Sequence, residues 1–260
     1  MKVKANGIAL NYELDGPPGA PVVTFCHSLS TSLDLWNLQI GVLRDTYRVL
    51  RFDCRGHGLS DAPPGPYTIK MMTEDLVGLL KALEIQTTSF VGISMGGMIG
   101  QVLAIEYPEY VDKLVLCSTA CRVPPESGPV WEQRIRTAET EGMAPVVEES
   151  LERWFSEEFR RASPSMIGRI RDMAMKTPVS GYCGSGRAIS RFDVSNALGK
   201  ITAPTLIMAG EHDPGTPVAM AETIGQKIPS SRLVIIPGAL HLINVEAADI
   251  FNRKLMDFLI

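Results

Sequence analysis

The chain has 260 residues, 45% of them hydrophobic and 21% charged, which fills a large core and excludes intrinsic disorder for the bulk of the chain. Its 25 basic and 29 acidic residues leave a net charge of −4, and no Lys/Arg cluster offers an electrostatic footprint for nucleic acid. No apolar run approaches the ~20 residues that a transmembrane helix needs, so neither a nucleic-acid nor a membrane partner is expected.

The opening Met1-Lys2-Val3-Lys4-Ala5-Asn6-Gly7 lacks the apolar region of a secretory signal. Ile8–Leu14 alternates like a strand and ends in the turn Asp15-Gly16-Pro17-Pro18-Gly19. Pro21–Cys26 is an apolar run of the kind buried on both faces of a sheet. A helical stretch, Leu33–Arg44, precedes a strand at Tyr47–Phe52, and a second, Ile69–Leu83, precedes a strand at Ser89–Ile93. Met95–Tyr107 reads as a helix stopped by Pro108, and Lys113–Ser118 as the next strand. Further on, strands at Thr205–Ala209 and Leu233–Ile236 alternate with helices at Val218–Ile228 and Glu246–Leu259. This alternation predicts a parallel sheet wrapped by helices on both faces.

The stretch from Arg122 to Lys200 contains no buried-strand run. It holds Trp131, Trp154 and breaks at Pro124-Pro125, Pro145, Pro164 and Pro178. The expected division is an α/β core made of residues 1–121 and 201–260, with a helical cap over residues 122–200. An insertion at the carboxyl edge of a parallel sheet sits over the crevice where such sheets bind ligands. The alternative, an independent all-helical domain, would have a thin core. The cysteines, Cys26, Cys54, Cys117, Cys121 and Cys183, are odd in number and form no CxxC. They read as reduced, buried thiols of a cytoplasmic protein. Cys117 and Cys121 lack the histidine pair that would complete a zinc site, so no metal is expected.

The segment that carries chemistry is Gly92-x-Ser94-x-Gly96-Gly97, set between a strand and a helix. That is the setting of a nucleophile elbow. Ser94 must occupy a tight, strained turn, and side chains at 92 and 96 would clash there. A serine hydroxyl needs a general base, for which histidine is best suited. His27 and His57 precede Ser94, whereas His212 and His241 follow it. The order serine, acid, histidine selects His241 as base and Asp213 as its orienting carboxylate. His212 is the second choice of base, and Asp213 can also be read as a helix cap. The oxyanion hole needs two backbone donors. Met95 N–H is one, and Leu29 N–H, with Ser28 as the alternative, is the other. Ser28 and Trp131 are expected to touch substrate, with Trp154 a further wall or packing residue. Arg122, Arg134 and Arg187 are possible partners for a substrate carboxylate. His27 is expected to hold its loop in place. Asp53 and Arg55, in the dense loop through Asp61, read as scaffolding beneath the site. Cys121 is expected to pack near the crevice.

His27-Ser28, Asp53-x-Arg55-Gly56-His57-Gly58-x-Ser60, Gly92-x-Ser94-Met95-Gly96-Gly97, Gly210-x-x-Asp213 and the late His241 together resemble the α/β-hydrolase superfamily over the whole chain. The text His27-Ser28-Leu29, Trp131-Glu132-Gln133-Arg134-Ile135, Glu141-Gly142-Met143, Leu151-Glu152-Arg153-Trp154-Phe155 and Thr177-Pro178 through Gly181-Tyr182 is most similar to its 3-oxoadipate enol-lactonase branch. The resemblance implies the α/β-hydrolase fold, a mostly parallel eight-stranded sheet flanked by helices with a helical cap insertion. It further implies hydrolysis of a small carboxylate-bearing lactone, with no cofactor, in bacterial aromatic catabolism. Two alternatives stay open. One is a general carboxylesterase or lactonase with perhydrolase activity, and the other is a ligand-binding module that has lost turnover.

Overall fold

The computed structural model describes residues 1–260. Two short strands open the chain, β1 (Lys2–Ala5) and β2 (Ile8–Asp15), followed by β3 (Val22–Cys26), α1 (Asn37–Leu43) and β4 (Arg48–Phe52). Next come α2 (Ile69–Ala82), β5 (Thr88–Ile93), α3 (Met95–Glu106) and β6 (Val111–Cys117). Five helices follow without a strand: α4 (Gly128–Glu141), α5 (Met143–Trp154), α6 (Glu157–Ala162), α7 (Pro164–Met175) and α8 (Val179–Ser190). The chain ends with β7 (Thr205–Gly210), α9 (Val218–Lys227), β8 (Ser231–Ile236), α10 (Ile243–Glu246) and α11 (Ala248–Leu259).

All eight strands form one sheet in the order β1-β2-β4-β3-β5-β6-β7-β8. β1 and β2 are antiparallel additions at one edge, and every pair from β4 to β8 is parallel. β5 and β7 are buried along their whole length, so their sequences are apolar rather than alternating. Successive side chains of β5 serve opposite cores: Phe90 joins the face covered by α2, α3 and α9, and Val91 the face covered by α1 and α11.

Three local expectations change. β1 was not anticipated, because Lys2 and Lys4 give it the look of a solvated terminus. Its signal is Asn6-Gly7, whose positive φ values of 46° and 82° make a two-residue hairpin pairing Ala5 with Ile8. Leu33–Arg44, expected as one helix, divides into a 3₁₀ turn over Leu33–Trp36 and α1. The final helix divides at Ala247, which leaves helical backbone at φ −123°.

β6 and β7 are neighbours in the sheet, so all of α4 to α8 lies outside it. The chain leaves and returns at one place. Arg122 bridges Asp193, Val123 N–H donates to the Phe192 carbonyl and Val194 N–H to the Cys121 carbonyl, both at 2.9 Å. Apolar residues of this excursion, among them Val147, Leu151 and Phe155, pack into the core that holds Phe25 and Trp36. All five cysteines are free and buried. No helix is long and apolar enough to cross a membrane.

The loop after β4 is tied down as its text indicated. Asp53 accepts the N–H groups of Leu33 and Leu59 and the Asn11 amide. Arg55 places a two-pronged ion pair on Asp75 of α2, with both N···O distances at 2.5 Å and both side chains buried. Removing one member strands a buried charge. Asp75→Ala is therefore expected to destabilise the protein by about 3–5 kcal/mol, read from equilibrium urea unfolding. A loss within error of zero would refute this account of the loop.

Candidate active site

β5 ends in a sharp turn on Ser94, whose φ of 55° and ψ of −114° lie in the region L-residues avoid. The close approach is real at both flanking glycines. A Cβ on Gly92 would stand 2.2 Å from the Gly96 carbonyl oxygen, and one on Gly96 2.2 Å from the Cys26 carbonyl oxygen. The turn is fixed by Ser94 N–H donating to the Cys117 carbonyl and the Thr119 hydroxyl donating to the Ser94 carbonyl, both 2.8 Å. Serine at a helix start normally caps it. Here Ser94 occupies that position on α3 and makes no capping bond, so its hydroxyl is free. The first N–H groups of α3, Met95 included, have no acceptor within the helix.

Asp213 lies just past the carboxyl end of β7, and His241 in the loop after β8. His241 Nδ1 and Asp213 Oδ2 are 2.7 Å apart, and both residues are buried. Asp213 also accepts the Gly215 and Thr216 N–H groups on Oδ1 and the Thr216 hydroxyl on Oδ2. It thus caps the turn before α9 as well as holding the imidazole. Burial alone would push its carboxyl up, but the His241 ring and the Thr216 donors outweigh burial and bring it down to about 2. An ionised Asp213 keeps the His241 proton on Nδ1 and leaves Nε2 as acceptor. Ser94 and His241 border the same cavity without a hydrogen bond between them, as is common before substrate tightens such a pair.

The loop after β3 brings Ser28, Leu29 and Ser30 to the edge of the same cavity. His27 Nδ1 lies 2.7 Å from the Ser28 carbonyl, and its Nε2 accepts the Cys54 N–H at 2.9 Å. His57 Nε2 accepts the Ser30 N–H at 3.2 Å while its Nδ1 lies 3.0 Å from the Arg55 carbonyl. Burial, and then the neighbouring His27, pull His57 down to about 3, so it stays neutral. Both rings are structural supports beneath the loop. With the Ser30 N–H taken, the Ser28 and Leu29 N–H groups are among those of this loop left without an intramolecular bond, and both residues border the cavity. His212 is exposed on the surface and takes no part.

The cavity has a volume of about 270 Å³. Ser28, Leu29, Ser94 and His241 line its floor, and Trp131, Trp154 and Tyr182 from the helical excursion line its roof. Arg134 stacks over the Trp131 ring at 5.4 Å, and its buried Nε has no hydrogen-bond partner. Arg122 borders the cavity and pairs loosely with Asp193 at 3.4 Å. Arg187, one of the three arginines considered for a substrate carboxylate, pairs instead with Glu139 on the outer surface and does not line the cavity. Among the lining residues not anticipated from the sequence are Arg153 and Tyr182. Burial pushes the Tyr182 hydroxyl up to about 12 despite Arg134 and Arg153 nearby, so it remains a neutral donor. No group of three or more His, Cys, Asp or Glu side chains is placed to hold a metal ion.

A family model described as alpha/beta hydrolase fold matches residues 21–248. The 3-oxoadipate enol-lactonase 2 of Acinetobacter baylyi is 35% identical over 249 residues, covering 96% of this chain and 92% of its own. The crystal structure of the enol-lactonase from Burkholderia xenovorans is 37% identical with a TM-score of 0.96, covering 100% of this chain and 99% of that one. A malate-bound thermophilic esterase from Thermogutta terrifontis is 30% identical with a TM-score of 0.93, covering 100% and 98%.

The low-lying Asp213 carboxyl has a measurable consequence. Its pKa is lower in the folded than in the unfolded chain, so its ionised form stabilises the fold. That contribution is complete above pH ~5 and is lost as pH falls towards ~2. The stability gap between wild type and Asp213→Asn is expected to be about 2 kcal/mol at pH 7. It should close on acidification, followed by urea unfolding across the pH range. A gap that widens towards low pH would contradict the assigned ionisation.

Proposed function

The chain belongs to the alpha/beta hydrolase family, and from that premise we propose that it is a carboxylic ester hydrolase whose nucleophile is Ser94. His241 is its base, Asp213 the carboxylate that orients His241, and residues 122–200 the cap that closes the site. The observation that carries this reading is the Asp213–His241 bond of 2.7 Å at the edge of a cavity that also receives the uncapped Ser94 hydroxyl. Ser94 Oγ attacks the ester carbonyl carbon as its proton passes to His241 Nε2. The oxyanion is held by the N–H groups of Met95 and Leu29. Collapse breaks the acyl–oxygen bond, and the same proton passes from His241 to the leaving oxygen. Water then gives its proton to His241 and its oxygen to the acyl carbon, releasing the carboxylic acid and restoring Ser94. The steps balance with water alone and call for no cofactor.

The proposed substrate is a small lactone bearing a carboxylate, 3-oxoadipate enol-lactone being the specific candidate. Three things support it. Relatives at 35% and 37% identity are enol-lactonases. A relative at 30% identity binds malate, itself a carboxylate. Arg134 and Arg153 both border the cavity opposite Ser94, and each is drawn towards Glu149. Burial first, and then the neighbouring Arg134, pull the Arg153 guanidinium down. A substrate carboxylate would find two guanidinium groups at one wall of the cavity. A second reading, a carboxylesterase for neutral esters, is favoured by the apolar Trp131, Trp154 and Met98 in the wall. The five free, buried cysteines fit the reducing environment of the cytoplasm.

Steady-state kinetics on 3-oxoadipate enol-lactone beside p-nitrophenyl acetate and butyrate test the reading. The enol-lactone should give much the highest kcat/KM, and Ser94→Ala should lose about 10⁶-fold in kcat. Asp213→Asn should lose about 10⁴-fold. Arg134→Leu should raise KM for the lactone about 10- to 100-fold, the worth of a hydrogen bond to a charged group, and leave neutral esters unchanged. Neutral esters outranking the lactone would select the carboxylesterase. Turnover surviving in Ser94→Ala would remove the nucleophile assignment.

A further inference from the structure

The Asp213 bond fixes one nitrogen of the His241 ring, but the backbone that carries the ring must also be fixed. Residues 237–242 belong to no helix or strand, and their hydrogen bonds come from two sides. On the sheet side, His212 N–H donates to the Ala239 carbonyl at 3.0 Å. On the other side the partner is the helical excursion. The Trp154 carbonyl, at the end of α5, accepts the N–H groups of both His241 and Leu242 at 3.2 Å. The Glu246 carboxylate, at the end of α10, accepts the Leu240 N–H on Oε2 at 2.7 Å and the Ser156 N–H on Oε1 at 2.8 Å. One side chain therefore bonds the residue before the histidine and the residue two beyond Trp154.

We propose that Glu246 is a positioning residue, a latch that fastens the helical excursion to the loop bearing His241 and so sets the approach of His241 to Ser94. The proposal rests on the reading of Ser94 and His241 as nucleophile and base. Glu246 does not touch the cavity; it acts through two backbone N–H groups. Its chemistry suits the task, because a carboxylate offers an acceptor on each arm and both arms are used. A glutamine offers one acceptor and turns a donor towards the other N–H, so it satisfies half the latch. The same last turn of α5 also forms the cavity wall through Arg153 and Trp154. The wall that meets the substrate and the carbonyl that holds the His241 backbone are therefore one piece of chain.

The latch can be cut from either end. Ser156 has φ −59° and follows Phe155 at φ −136° and ψ 141°, backbone that admits proline at 156. Ser156→Pro deletes the N–H that Glu246 accepts. It also deletes the hydroxyl that caps α6 through the Phe159 N–H at 3.1 Å. Ser156→Ala loses only that cap and retains the N–H, so it is the matched control. The readouts are the rate of covalent labelling by a fluorophosphonate, kcat and KM on p-nitrophenyl acetate, and thermal unfolding to establish that each full-length variant is folded. A displaced base slows both labelling and kcat, and misplacements of about 1 Å can cost about 10²-fold. Glu246→Ala is expected to fall by up to about that factor at near-constant KM, with Glu246→Gln intermediate. Ser156→Pro should be slowed well beyond Ser156→Ala. If folded Glu246→Ala labels at the wild-type rate, or Ser156→Pro and Ser156→Ala label equally, the latch is overturned while Ser94 stands. If Glu246→Ala does not fold, the Ser156 pair decides. A wild type that the reagent does not label overturns the Ser94 reading and the latch with it.

Discussion

The positive φ of Ser94 is the constraint on which the site depends. A non-glycine residue in such backbone costs on the order of 1–3 kcal/mol and persists only where its surroundings over-determine it. Here they do. The turn is bonded to β6 through the Cys117 carbonyl and to the following loop through Thr119. The backbone around Gly92 and Gly96 is packed too closely for any side chain. The strain does one chemical thing. It turns a serine hydroxyl away from the helix N-terminus it would otherwise cap and, on the proposed mechanism, would leave the helix N–H groups for a developing negative charge.

Beneath this turn lies a layer of buried polar and charged groups that never reaches the cavity. His27, His57, Asp53 and Arg55 spend their hydrogen bonds on backbone groups of the loops around the site or on Asp75. Buried polar groups of this kind are worth more for geometry than for net stability. They leave the Ser28 and Leu29 N–H groups of one loop unspent, at the cavity that Ser94 also borders.

Legibility in the sequence follows the range of the interaction concerned. Ser94 was legible because its geometry is set by glycines one or two residues away. Asp213 and His241 were legible because strand order fixes which loops meet. The buried strands announced themselves by apolar runs, whereas β1 was missed for its exposed lysines. The helical excursion was the opaque part. Arg134, Arg153 and Arg187 all lie on amphipathic helices, and nothing local says which of them turns inward. That depends on how α4, α5 and α8 pack on one another, which is a tertiary matter. Tyr182 was invisible for the same reason, and Glu246 because its partners lie 6 and 90 residues away.

The excursion between β6 and β7 begins and ends at a single point, with Cys121 and Val123 bonded to Val194 and Phe192. To the sheet it is a closed loop. The entropy of closing a loop grows only with the logarithm of its length, and here the closure is secured by the bonds at its neck. Length changes in the connections between the five helices therefore cost the sheet little, whereas the faces that bear Val147, Leu151 and Phe155 are tied to the core they share with it. On the latch proposed above, a replacement segment would have to offer a carbonyl and an N–H where Trp154 and Ser156 now stand, besides apolar side chains for the shared core. Substrate preference could then change with one segment while the histidine loop keeps its two-peptide handshake.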